Sequence, residues 1–114
     1  MSRDQDELLE RVSKCIETMQ KVHNDSRTPL NHAEALVKPI RDLDRCRDAL
    51  RKAAFESAAS EPKFNEAVSK LTIINNTLKA DVMAYDKTLN FTKDAAFAAT
   101  AVLDFAIAIG ALVA

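Results

Sequence analysis

The chain has one glycine, three prolines, one tyrosine and no tryptophan in 114 residues. So little turn-forming material leaves few places for the hairpins of an antiparallel sheet. With its single glycine at position 110, the chain has no glycine-rich loop to cradle a phosphate. Two cysteines, Cys15 and Cys46, are too few for a small disulfide-built scaffold, and their helical positions do not suit a mutual disulfide. No sign of charge dominates: 16 basic residues face 17 acidic ones, for a net charge of −1. There is therefore no global pull toward nucleic acid or anionic lipid, and a nucleic-acid partner is not expected. The start, MSRDQDELLER, lacks the apolar stretch of a secretory signal, so a cytoplasmic chain with reduced thiols is expected.

Catalytic signals are equally sparse. His23 and His32, even with Asp25 between them, do not have the spacing of a zinc site, and capping or surface roles are expected of them. Cys15 lies on an apolar helix face with no histidine spaced to activate it. No two carboxylates form an evident acid/base pair. No catalytic residue, metal or cofactor is expected, and the chain does not read as an enzyme.

What the chain does have is 47% apolar residues, rich in alanine and leucine rather than β-branched and aromatic types, a bias toward helix. The first helix is predicted at about 4–25. Leu8, Val12, Cys15, Met19 and Val22 alternate steps of four and three, the spacing of a packing seam, which Leu9 and Ile16 widen. Asn24 to Asn31 reads as a turn, and Asn31 with Glu34 as a capping pair for a second helix at about 31–59. Leu36, Ile40, Leu43, Leu50 and Ala54 mark its inner face, with Arg47 on that face and Cys46 beside it. Pro39 lies inside the pattern and predicts a kink or a late start, because it lacks a backbone donor and clashes with the preceding turn. From Lys38 to Lys52, six basic residues oppose three acidic ones, so Arg41, Arg45, Arg51 and Lys52 form a candidate charged binding face.

A third helix is predicted at about 61–90, entered through Ser60 and Pro62. Its seam runs Phe64, Val68, Leu71, Asn75, Leu78, Val82, Tyr85 and Leu89. A second stripe, Ile73, Thr77, Ala80, Met83 and Ala84, is a candidate interface, and a homodimer through it is expected. Thr92 is the expected cap of the last helix, at about 93–113.

That last helix contains AAFAATAVLDFAIAIGALVA, in which seventeen of twenty residues are apolar. A helix apolar all round must be covered by protein or by lipid. Eight residues of Phe, Val, Leu or Ile favour bilayer insertion by roughly 0.3–0.6 kcal/mol each, and a central Asp104 opposes it by about 2.5–3.5 kcal/mol, so insertion is marginal. Ala106, Gly110 and Ala114 form a ridge of small residues suited to close packing of helices. If the helix is buried in protein, Asp104 needs a polar partner. Arg47 and Asn75 are expected to join it in a buried polar layer.

The reading as a whole is a single all-α domain over 1–114. Expected is a four-helix up-down bundle, with amphipathic helices wrapping an almost wholly apolar fourth. The function expected is that of a small non-enzymatic interaction protein (adaptor, inhibitor or immunity type, or chaperone-like) binding a protein partner through exposed helix faces. The alternative is a membrane-acting or tail-anchored protein using 95–114.

Overall fold

The computed structural model describes residues 3–53, 62–77 and 85–112. Its elements are α1 (Arg3–Asn24), α2 (Leu30–Ala35), α3 (Val37–Lys52), α4 (Pro62–Thr77) and α5 (Tyr85–Ala108), and the described residues contain no strand. The four long helices pack against one another, while α2 is a short step between α1 and α3.

The α1 seam folds as its spacing predicts. Leu8, Val12, Cys15, Met19 and Val22 are all buried, Ile16 with them, and Leu9 packs at the edge. The second helix divides at Leu36. Pro39 sits in the first turn of α3, where its missing N–H leaves the fewest bonds unmade. The Asn31–Glu34 cap does not form: α2 starts at Leu30 with Pro29 as its cap residue and no side-chain cap. The turn is instead held by Thr28, whose hydroxyl donates to the Val22 carbonyl at 2.6 Å, and by Asp25, which accepts from the Arg27 amide at 2.8 Å. Asp25 also takes the Arg27 guanidinium on both carboxylate oxygens, at 3.1 and 2.9 Å.

Each of α1 and α5 packs against both α3 and α4. Consecutive helices α3 and α4 are not among these packed pairs, so the helices do not follow chain order around the core. On α4 the buried residues are Phe64, Ala67, Leu71 and Ile74, so the inner face passes through Ile74 rather than Asn75. Leu78 and Val82 of the expected seam lie outside the described residues.

The last helix departs furthest from expectation. α5 begins at Tyr85, so Thr92 is an interior residue rather than a cap; it is buried, and its hydroxyl returns to the Leu89 carbonyl at 2.7 Å. Nor is α5 wrapped on all sides. Ala95, Ala98, Ala99, Ala101, Val102, Phe105 and Ala106 face inward, while Ala96, Phe97, Thr100, Asp104 and Ala108 are exposed. It ends at Ala108 in a complete glycine cap. Gly110, at φ +79°, lets Ala111 N–H reach the Ala106 carbonyl at 2.8 Å and Gly110 N–H reach Ile107 at 3.0 Å. No helix among the described residues is long and apolar enough to cross a membrane.

Candidate functional site

Of the candidate positions, those on α3 are the best defined. Its inner face, Leu43, Cys46 and Leu50, is buried against the core. The opposite face carries Arg41, Arg45 and Lys52, all exposed. Their separations of four and seven residues put them on one line of the helix. The other cations of α3 are matched locally: Lys38 with Asp42 at 2.8 Å, Arg47 with Asp44 at 2.5 Å, Arg51 with Asp48 at 3.9 Å. Among the described residues Arg41, Arg45 and Lys52 have no carboxylate within ion-pair distance, which leaves a cationic line on the outer face. Arg51, expected on the same face, is exposed but turned to Asp48.

Beside this line lies a groove of about 430 Å³ between the end of α1 and the start of α3, lined by Val37, Ile40, Arg41 and His23 among others. The His23 Nδ1–H donates to the Ala33 carbonyl at 2.7 Å, so the ring is tied to α2. His32, expected at the surface or in a cap, is instead buried, with Nδ1 2.7 Å from Thr88 Oγ1 of α5.

A second, more polar cleft of about 270 Å³ lies between α1 and α4. Arg11 spans it, bonding Glu7 at 3.0 Å on its own helix and Thr72 Oγ1 at 3.1 Å across the gap. Asn75 lines the same cleft, and its buried Oδ1 has no hydrogen-bond partner among the described residues.

The buried layer of Arg47, Asn75 and Asp104 does not exist. Asp104 is exposed, so it needs no buried partner. Arg47 lies at the flank of α3 and turns to Asp44, with its Nε buried and without a hydrogen-bond partner among the described residues. The expected ridge also fails: Ala106 is buried within α5, Gly110 lies beyond the helix end as its cap, and Ala114 is outside the described residues. In the candidate interface stripe, Ile73 is 45% exposed and therefore does not complete the core. The side chains of Thr77, Ala80, Met83 and Ala84 lie outside the described ones. A feature the sequence reading missed is Phe97, 60% exposed on α5, with the Lys70 ammonium 5.8 Å from its ring centre.

Two thiols complete the chemistry. Burial pushes Cys15 up to about 12 and Cys46 to about 11, so both stay protonated and weakly nucleophilic near neutral pH. Both are free. No group of His, Cys, Asp or Glu among the described residues is placed to hold a metal ion. Asp25 is the converse case: its hydrogen bonds from Arg27 lower its carboxyl to about 2, so it is charged across the physiological range. The chain matches no family model, no curated protein and no solved structure.

Proposed function

We propose that this chain is a small non-enzymatic interaction protein that binds a protein partner through the outer face of α3. The observation that carries the reading is the line of Arg41, Arg45 and Lys52, exposed and without a carboxylate partner among the described residues, on a helix whose other cations have such partners. Unmatched charge on a rigid helix steers and selects a partner of opposite sign. The face lacks aromatic residues on which nucleic-acid bases would stack, which favours a protein partner. The buried, protonated thiols favour a binding role over nucleophilic chemistry.

The scaffold for this face is a bundle whose four long helices alternate in direction. Contacts between α1 and α3 and between α4 and α5 support that arrangement. Gln5 reaches Leu50 and Ala53, Phe64 meets Phe105 edge to face, and Lys70 lies over Phe97. Contacts between the start of α1 and the end of α3, and between the start of α4 and the end of α5, support opposite directions within each pair.

The test is affinity capture with cross-linking, using the full chain and its Arg41→Glu, Arg45→Glu, Lys52→Glu triple variant as baits. Expected is a bound protein, a second copy of this chain included, that the wild type retains and the triple variant loses. Capture that survives the triple change but is lost with Phe97→Glu would move the site to α4 and α5 and overturn the reading.

A further inference from the structure

The outer face of α1 repeats the pattern of α3 with opposite sign. Asp6, Glu10 and Glu17 are separated by four and seven residues, as Arg41, Arg45 and Lys52 are, and all six side chains are exposed. Glu17 has a loose contact with Lys21 at 3.8 Å, while Asp6 and Glu10 have no ion pair among the described residues. The two lines are also in register. Gln5 bonds the backbone at Leu50 and Ala53, which sets the start of α1 level with the end of α3. On that register Asp6 is level with Lys52, Glu10 with Arg45 and Glu17 with Arg41. Each pair matches to within about two residues, or ~3 Å along the axis at ~1.5 Å per residue. Yet among the described residues no ion pair joins α1 to α3, because both lines point away from the core.

We propose that a second copy of this chain occupies the α1–α3 face, related by a two-fold axis running along these helices. This rests on the reading of α3 as the binding face and names its occupant. A two-fold axis in that direction preserves level and exchanges the two helices, so α1 of each copy lies opposite α3 of the other. The three matched pairs then form twice per dimer. Asp48 lies within the cationic line but is drawn to Arg51 at 3.9 Å. The net charge of −1 gives two copies almost no overall repulsion, so local complementarity decides their orientation. The groove at Val37 and Ile40 lies at one end of the same face and adds apolar area to the contact. Exposed ion pairs are individually weak and screened by salt, so the dimer is expected to be weak and salt-sensitive. On this proposal the dimer face differs from the Ile73 stripe that periodicity suggests.

Sedimentation velocity on the full chain tests this over a dilution series at about 0.01 M and about 1 M salt, where the screening length is ~30 Å and ~3 Å. Expected is a concentration-dependent dimer at low salt, with no larger species, and monomer at high salt. Glu10→Arg and Arg45→Glu should each weaken it roughly tenfold or more, since each makes two like-charge contacts per dimer. Mixing the two variants should restore it, because a mixed dimer holds one native and one inverted pair. Circular dichroism on each variant verifies that helicity is unchanged. A wild type that is monomeric at low salt, a dimer indifferent to salt, or variants that stay monomeric when mixed would overturn the proposal. A monomeric wild type whose α3 face still captures another protein would reject the second copy alone; no capture at all would reject the α3 reading itself.

Discussion

Where α1 meets α2 and α3, polar side chains reach backbone carbonyls: Gln5 to Leu50 at 2.9 Å and to Ala53 at 2.7 Å, His23 to Ala33 at 2.7 Å. Where α4 meets α5, the contacts are rings and small apolar groups. Phe64 and Phe105 meet edge to face at 5.5 Å, and buried alanines fill the remaining space. The first contact is directional, because a carbonyl at a helix end accepts a bond from few positions. The second is set by shape and volume. The outer surfaces differ as well: the α1–α3 side has the two patterned charged lines, and the α4–α5 side exposes Ile73, Leu89 and Phe97.

The sharpest way to test the packed side is to remove its largest contact. Phe105→Ala should cost about 3–5 kcal/mol in urea unfolding, as buried aromatic truncations do. A loss below that range would mean that the α4–α5 contact collapses readily and is less specified than its density suggests. On the wired side, Gln5→Leu keeps the bulk but leaves the last carbonyls of α3 without this donor. A loss of about 1–3 kcal/mol is expected, read in the same assay. A neutral result would erase the contrast between the two sides.

A smaller effect is expected at the end of α5. Gly110 has a left-handed backbone, and a Cβ there meets no atom within 4 Å, so conformation alone opposes a side chain. Gly110→Ala should cost about 1 kcal/mol by thermal or urea melting, with Gly110→Asn costing less. If α5 instead continued as a helix through residue 110, alanine would stabilise it. The smallest effect belongs to Asp104→Leu, expected within about 0.5 kcal/mol of wild type because the carboxylate is already in water. A loss of several kcal/mol would restore the buried polar layer that the exposed position of Asp104 rules out.

The same contrast decides what was legible beforehand. Leu8 through Val22 were readable because leucine, valine and methionine at helical spacing between charged residues leave one choice of inner face. The exposure of Arg41, Arg45, Arg51 and Lys52 was readable for the same reason, though not the turn of Arg51 to Asp48, and Pro39 announced the break ahead of α3. α5 was misread because alanine is nearly indifferent to burial. Ala95 and Ala96 are neighbours in a run that looks uniform, yet one is buried and the other exposed. Counting both as core made the helix look apolar all round and made Asp104 look interior. On α4, Ile74 and Asn75 are adjacent, and a strict four-three alternation picked the wrong one. Gly110 carried a readable signal, a lone glycine at the end of a helical run, but it was read as a packing residue instead of a stop. Gln5 carried none, since its partners are backbone carbonyls far along the chain.

The central claim is that association uses the charged α1–α3 side rather than the apolar α4–α5 side. Amide chemical-shift mapping of the full chain over a dilution series at low salt tests it most directly. Expected are concentration-dependent shifts at Asp6, Glu10, Glu17, Arg41, Arg45, Lys52 and their neighbours, with the amides of Ile73, Leu89 and Phe97 unmoved. Shifts centred on Ile73 and Phe97 while α1 and α3 stay still, or no concentration dependence at all, would contradict it.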